Sequence, residues 1–261
     1  MIFLPIIIFG LGLIVGSFLN VVILRLNTGR SIATGRSACA RCDNKLAWYE
    51  LIPVFSFLGL RGKCRSCKAP ISFQYPLVEL ITAIVFMLLY TQSRFFVESS
   101  FLNLVSLIGG AVIASLLIVI VVYDIRHKII PNNIVYPFIV LSLISVFWRT
   151  ATVPEFMVVP ALVSGILLSA PFFFIWFFSK GKAMGFGDVK LALGIGWLAG
   201  ILGGITVFLL SFWFGAVVGL LLMASSRAGM KSQIPFAPFL IVAYFIVSIW
   251  EVTISSLFPV W

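Results

Sequence analysis

Two aspartates stand out in this sequence because the residues around them are apolar. Asp124 follows the apolar run 103–123, and Asp188 lies in the stretch AMGFGDVK at 183–190, directly before another apolar run. A carboxylate close to hydrocarbon costs several kcal/mol and therefore suggests a function. Two such carboxyl groups that hold one proton between them can activate a water on one side of an amide and protonate the other side. The chemistry expected of the pair is aspartic proteolysis, which needs no metal.

Two glycines precede the second aspartate. Gly185 and Gly187 carry no side chain, so another backbone can approach them closely. A peptide must be opened from helix to extended chain before its amide is attacked, and we expect these glycines to leave room for it. The residues alone leave a second interpretation open, in which Asp188 caps a helix, the glycines form the turn, and Asp124 pairs with a neighbouring basic residue. The single histidine, His127, is expected to be a solvated loop residue.

All four cysteines lie in one non-apolar segment, residues 25–76. They form two Cys-x-x-Cys pairs, Cys39 and Cys42 followed by Cys64 and Cys67. Four thiolates in this pattern suit one tetrahedral zinc ion, and a segment of this size has too small a core to be stable alone. The segment contains no fifth candidate ligand, so we expect a structural zinc without a catalytic role. Redox or structural thiols without a metal are the alternative.

The elements that carry these residues are membrane helices. The chain is 62% hydrophobic and 10% charged, with a mean hydropathy of +1.19. Crossing a bilayer takes roughly 20 apolar residues of helix. Apolar runs of this kind occupy 1–24, 77–91, 103–123, 134–148, 156–178, 191–200, 203–224 and 236–258. The sequence therefore predicts an all-α polytopic membrane protein with about eight transmembrane helices, or seven if 191–224 forms one span.

The basic residues predict how these helices are oriented. Nine of the 18 Lys and Arg lie in segment 25–76, and with eight spans every other one except Arg94 and Arg149 falls on the same side. Basic loops remain on the cytoplasmic side. The N-terminus is then outside, the first helix is a retained span rather than a signal peptide, and both aspartates lie at the cytoplasmic border. The net charge of +10 is thus a topology signal and requires no nucleic-acid partner.

Three regions follow from this organisation: a first transmembrane helix at 1–24, a cytoplasmic zinc-binding insert at 25–76, and a transmembrane peptidase bundle at 77–261.

Five motifs in order resemble the type IV prepilin peptidases, the leader peptidase and N-methyltransferase family. They are GSFLNVVILR at 16–25, the two CxxC pairs around ELIPVFSFL at 50–58, QYPLVEL at 74–80, YDIRHKIIPN at 123–132 and GFGDVKL at 185–191. The resemblance covers nearly the whole chain.

What the resemblance implies is a bifunctional enzyme of the bacterial inner membrane. Such enzymes remove the basic leader of prepilins and pseudopilins on the cytoplasmic side and then methylate the new N-terminus with S-adenosylmethionine. The family's catalytic aspartates correspond to Asp124 and Asp188, and its zinc ligands to the four cysteines. By position, Glu50 and Glu79 are candidates for binding the methyl donor, although an exposed insert residue and a helix N-terminal acid are the simpler interpretations of them.

Two rival functions remain on the residues alone. A proton-coupled transporter also uses intramembrane carboxylates, but it predicts acids near the bilayer midplane and internal repeats. A zinc-stabilised membrane scaffold without chemistry would leave the two aspartates unexplained.

Overall fold

The structure is a computed structural model that describes residues 3–93, 100–153, 157–225 and 234–252. The regular structure in these ranges is helical, with no strand beyond two isolated bridges. The helices are α1 (Phe3–Arg25), a short 3-10 helix (Trp48–Leu51), α2 (Phe55–Gly59), α3 (Gln74–Ser93), α4 (Ser100–His127), α5 (Asn132–Thr152), α6 (Val158–Ser179), α7 (Phe186–Ala224) and α8 (Ala237–Trp250). The predicted all-α class is confirmed.

Six of these helices are long and apolar enough to cross a membrane, namely α1 and α3 to α7. The seventh apolar helix, α8, has 14 residues. The longest, α7, has 39 residues, about 58 Å at 1.5 Å per residue, whereas the hydrocarbon layer is only about 30 Å thick. One straight crossing cannot accommodate α7. At Gly200 its backbone leaves helical geometry, with φ 72° and ψ −177°.

The contacts of α7 with α6 show that the first arm of α7 runs antiparallel to α6. At one end of this arm, the ring of Phe186 lies 4.8 Å from that of Trp176. At the other end, the indole N–H of Trp197 donates to the carbonyl of Leu162 at 3.1 Å. Along this arm the residue numbers of α6 therefore fall as those of α7 rise.

The second arm of α7 runs parallel to α6. A Cβ on Gly204 would lie 3.9 Å from Leu168. The ring of Phe208 lies 5.6 Å from that of Phe172, so the residue numbers of both helices now rise together. The chain therefore reverses direction at Gly200. With the two arms counted separately and α8 included, the expectation of about eight helices is confirmed; the predicted span 236–258 is described only as far as residue 252.

The reversal at Gly200 gives a first prediction. Its φ and ψ lie in a region that is essentially restricted to glycine. We expect Gly200→Ala to lower the free energy of unfolding by about 1–3 kcal/mol, measured by thermal unfolding in detergent. Gly109→Ala is the matched control, because Gly109 is helical and has open space around it. Equal melting temperatures for the two variants would contradict the reversal.

The chain divides into two compact units, Met1–Val119 and Ile120–Trp261, which are called the first and second unit below. In the first unit, α1 packs on α3, and the insert connects them. The contact is close because α1 presents two glycines four residues apart. A Cβ on Gly12 would lie 2.5 Å from Cα of Ala83, and one on Gly16 would lie 2.6 Å from Cα of Glu79. Small residues at this spacing allow membrane helices to approach each other.

In the second unit, α7 contacts α5, α6 and α8. Glycines again allow the close approach. A Cβ on Gly196 would lie 2.7 Å from Cα of Gly165 on α6, and one on Gly194 would collide with the ring of Phe138 on α5. Phe138 and Phe172 are fully buried. This tight packing fixes the position of the first turn of α7, where Asp188 lies.

Candidate active site and metal centre

Asp124 lies in the last turn of α4 and is buried, with 5% of its surface exposed. The helix ends shortly after it, because Lys128 adopts a left-handed conformation with φ 54° and Pro131 follows. Asp188 is the third residue of α7, after Gly185 as the N-cap. Gly185 rather than Asp188 is therefore the N-cap residue, while the Asp188 carboxyl group accepts the N–H of Gly185 from the first turn.

Three contacts bring the start of α7 to the loop that follows α4 and to the beginning of α5. A Cβ on Gly187 would lie 2.8 Å from Cβ of Ile130. Nζ of Lys190 donates to Oδ1 of Asn132 at 2.9 Å and to the hydroxyl of Tyr136 at 3.0 Å. The end of α4 and the beginning of α7 are therefore neighbours within the second unit.

The carboxyl groups of Asp124 and Asp188 are close enough to interact electrostatically. Each also faces a helix N-terminus. Asp188 receives the backbone N–H of Gly185 at the start of α7, and Asp124 receives that of Ala237 at the start of α8. Helix N-termini stabilise negative charge. The pair thus has both the like-charge proximity that favours sharing one proton and the donors that stabilise the other, ionised group.

One oxygen of Asp124 has no protein partner. Among the described residues, Oδ2 of Asp124 is buried without a hydrogen bond, and no ion pair joins this carboxylate to Arg126 or Lys128. Buried polar atoms in native structures nearly always have a partner. The hydrogen-bonding capacity of Oδ2 is therefore left unused by the described protein residues.

The two glycines differ in their surroundings. The space beside Gly187 is filled by Ile130, so close packing explains why a residue without a side chain is needed there. A Cβ on Gly185 would have Oδ2 of Asp188 as its nearest neighbour at 3.7 Å, an ordinary contact distance. An added Cβ at Gly185 would therefore meet no close contact, unlike one at Gly187. His127 belongs to the last turn of α4 rather than to a loop, and its exposed ring lies 4.4 Å from that of Tyr123.

A second prediction separates these two roles. Gly187→Ala should cost about 1–3 kcal/mol of stability because the added methyl group overpacks against Ile130. Gly185→Ala should leave the melting temperature unchanged but raise KM for a peptide substrate. Thermal unfolding and initial rates on the same preparations measure both. A Gly185→Ala enzyme with unchanged KM would remove the substrate role from that glycine.

The four cysteines form the second site, in the first unit. Their sulfur atoms all lie within 4.8 Å of one another, and Sγ of Cys39 lies 3.8 Å from Sγ of Cys67. Four sulfurs at about 2.3 Å from a tetrahedral zinc are about 3.8 Å apart. The cluster therefore has the dimensions of a metal-binding site.

The two cysteine loops have the same backbone geometry, which explains why the pairs converge. In the first, the N–H of Cys39 donates to the carbonyl of Asn44 and the N–H of Asp43 to that of Cys39, each at 3.0 Å. In the second, Cys64 and Lys68 repeat this pattern at 2.8 and 3.0 Å. Asp43 and Lys68 both have positive φ.

The thiols of the first loop differ in acidity. The backbone N–H groups of Arg41 and Cys42 lower the pKa of Cys39 to about 6. For Cys42, the backbone N–H of Asn44 lowers the pKa, but desolvation and the neighbouring thiols of Cys39 and Cys67 outweigh it and raise the pKa to about 11. A metal that binds all four sulfurs as thiolates therefore has to displace a proton from Cys42.

The two glutamates also lie in the first unit, in different surroundings. Glu79 is the sixth residue of α3 and is buried, and its Oε2 accepts the N–H of Val54 at 2.7 Å. It is thus not in the first turn of its helix. Glu50 is half-buried; its Oε2 accepts the N–H of Ala47 at 2.8 Å, and it lines a shallow pocket of about 260 Å³.

Two features near Glu79 were not predicted from the sequence. Asn20, 1% exposed, joins α1 to α3 by donating to the carbonyl of Tyr75 and accepting from Gln74. Val54 has φ 61° and ψ −50°, and the carbonyl before it accepts the N–H after it, which forms a strained γ-turn. Asn20 could have been found from the sequence, because it is a polar residue inside the apolar run 1–24. Nothing in the sequence indicates the γ-turn.

Two parts of the chain each match a known protein family. Residues 10–93 match the family described as Bacterial Peptidase A24 N-terminal domain, and residues 111–220 match the Type IV leader peptidase family. No solved structure matches the chain.

Curated relatives carry the name prepilin leader peptidase/N-methyltransferase. The Myxococcus xanthus protein is 36% identical over 230 residues, which cover 86% of this chain and 65% of the relative, so the chain spans about two thirds of that relative's length. The Xanthomonas campestris protein is 32% identical, over 92% of this chain and 89% of the relative. The Vibrio cholerae protein is 33% identical, over 90% and 92%. The predicted resemblance is confirmed: this chain belongs to the type IV leader peptidase family.

Proposed function

We propose that this protein is a membrane aspartic endopeptidase that removes the leader peptide of type IV prepilins or pseudopilins. The observation that carries the proposal is the meeting of Asp124 and Asp188 in the second unit, with Oδ2 of Asp124 buried and unpartnered. Family membership and the names of the relatives support the same activity.

The mechanism follows from the two carboxyl groups. The ionised member accepts a proton from the water that attacks the scissile carbonyl. The protonated member donates its proton to the amide, so that the amine can leave. One proton then remains on the pair, and the cycle can repeat. The extended substrate backbone passes Gly185, where an added Cβ would meet no close contact.

The same enzyme is proposed to methylate the new N-terminus with S-adenosylmethionine, as the names of the relatives indicate for those proteins. Glu50 and Glu79 remain the proposed residues for the donor. What supports them is that both lie in the first unit and are linked through the insert, since the segment that follows Glu50 is bound to Glu79 by the N–H of Val54. A carboxylate at either position suits a sulfonium cation.

We also propose that the four cysteines hold a structural zinc ion. All four protein ligands would be thiolates, which leaves no open position for a water molecule. The ion would supply stability to the insert and no chemistry to the cleavage step.

The helices and the family make this a multi-pass membrane protein. We propose that it lies in the bacterial inner membrane with its N-terminus outside and with the insert and both aspartates on the cytoplasmic side. The distribution of basic residues supports this orientation. The proposed partners are the bilayer and the prepilin substrate, with no nucleic acid.

The transporter alternative has no support from the relatives. The aspartates also lie in the last turn of α4 and the first turn of α7, whereas a proton relay requires carboxylates near the bilayer midplane.

The test is incubation of the purified protein, in lipid, with a prepilin-like peptide and S-adenosylmethionine. Mass spectrometry should show loss of the leader and then a gain of one methyl group on the shortened product. A product that is shortened but never methylated would remove the second activity alone. An intact peptide would contradict the peptidase assignment.

A further inference from the structure

The insert carries an apolar surface that the fold does not cover. Residues 48–60, WYELIPVFSFLGL, contain a single charged residue, Glu50. Neither the 3-10 helix nor α2 in this segment has a buried residue. Trp48 is 77% exposed, Phe55 68% and Leu58 64%. These three side chains are called the apolar patch below, and residues 48–60 are called the patch segment. Exposed apolar surfaces with polar rims mark interaction sites.

Basic residues follow the apolar patch in the chain, and one of them contacts its segment. Arg61, Lys63, Arg65 and Lys68 follow it directly in the chain. Arg65 contacts the patch segment. Its guanidinium donates to the hydroxyl of Tyr49, and its Cζ lies 5.4 Å from the centroid of the Tyr49 ring. Segment 25–76 as a whole holds nine basic residues against two acidic ones, Asp43 and Glu50. A partner for this surface should therefore combine apolar and anionic groups.

The contacts of the insert also show where the patch lies relative to α1 and α3. The insert leaves the end of α1 and returns at the start of α3, two membrane-spanning helices that pack antiparallel, with Gly16 beside Glu79 and Gly12 beside Ala83. Val54, in the middle of the patch segment, donates its N–H to Glu79 at 2.7 Å. Glu79 is the sixth residue of α3, about 7 Å from its start at 1.5 Å per residue. The patch segment is thus bound near the first turns of α3, a helix long and apolar enough to cross a membrane.

We propose that the apolar patch inserts into the interfacial layer of an anionic lipid bilayer and that the basic residues beside it contact lipid phosphate groups. Trp and Tyr rings favour this layer because it accommodates both their apolar and their polar atoms. Lys and Arg near the surface are attracted to anionic lipids. By accepting the N–H of Val54, Glu79 then sets the depth of the insert. This surface belongs to the first unit, and the proposal does not depend on the peptidase assignment.

The test uses the full-length protein in nanodiscs whose lipids carry bromine on their acyl chains and include phosphatidylglycerol. Bromine quenches tryptophan fluorescence only on contact, and the difference between wild type and Trp48→Phe isolates one of the seven tryptophans. Trp213→Phe gives the reference for a lipid-exposed ring, because Trp213 is 62% exposed on α7. Trp197→Phe gives the reference for a ring held between helices.

We expect Trp48 to lose as large a fraction of its emission as Trp213 does. Quenching of Trp48 by aqueous acrylamide instead of by bromine would place the patch in solvent and overturn the proposal. Protection from both quenchers would show that protein covers the patch, and would overturn it as well.

Arg65→Gln tests the basic rim in the same nanodiscs. It should reduce the quenching of Trp48 in discs that contain phosphatidylglycerol and leave it unchanged in zwitterionic discs. Equal quenching of the variant and the wild type in both lipids would overturn the assigned contact with lipid phosphate.

Discussion

Replacing Asp188 by Asn should abolish leader cleavage, with a loss of at least about a thousandfold in kcat, the upper part of the range for general acid–base catalysis. Asn has nearly the same shape as Asp but can neither accept nor release the shared proton. Asp124→Asn should have the same effect, and the double variant should be no worse than either single one, because the two carboxyl groups act as a unit. The rate is measured by mass spectrometry on a prepilin-like peptide.

Two controls show whether the loss is chemical. Glu251→Gln removes a carboxylate that lies just after α8 in the same unit and is exposed, so it should cleave at the wild-type rate. Methylation of an already shortened peptide should survive Asp188→Asn, because no cleavage is needed. Substantial cleavage by the Asp188→Asn enzyme would defeat the assignment.

Removing the metal should have the second largest effect, and it should fall on the insert. Structural zinc sites contribute on the order of 10 kcal/mol to the folding of small domains. We expect the double variant Cys64→Ser, Cys67→Ser to bind no zinc, whereas the wild type binds about one ion per chain. Trypsin should then cut within residues 39–68, whereas we expect this segment to resist trypsin in the wild type.

The activities should separate in this variant. Methyl transfer should fall to background, because an unfolded insert no longer holds Val54 against Glu79. Cleavage should persist, because both aspartates belong to the second unit. Ser37→Ala, two residues before Cys39 and not a ligand, is the control. An enzyme that loses its zinc yet keeps a trypsin-resistant insert would contradict the structural role.

The sequence predicted what depends on residue type and spacing. Long apolar runs require membrane helices, and two Cys-x-x-Cys pairs bring four thiols together. Because an even number of spans separates Asp124 from Asp188, both aspartates are expected on the same face of the membrane. The glycine-rich step at 200–204 indicated a break between two spans, and the structure places the reversal of α7 at Gly200.

What the sequence could not predict depends on packing between distant segments. Ile130 fills the space beside Gly187, and α8 directs the N–H of Ala237 towards Asp124, but neither pairing leaves a periodic or local signal. The first arm of α7 begins at Phe186, five residues before the predicted span. Tertiary contacts hold this polar and glycine-rich turn in place, namely those of Gly187 with Ile130 and of Lys190 with Asn132. For the same reason Glu79 could not be recognised as the acceptor of a strained turn 25 residues earlier.

The central claim is that Asp124 and Asp188 hold one proton jointly, and carbon NMR of carboxyl-labelled aspartate tests it most directly. The chain has three aspartates, so the spectrum holds three carboxyl signals, and that of Asp43 in the insert is removed by Asp43→Asn. The two remaining signals should titrate together, and Asp124→Asn should change the titration of Asp188 to that of a single independent group. A titration curve of Asp188 that is the same with and without Asp124 would contradict the claim.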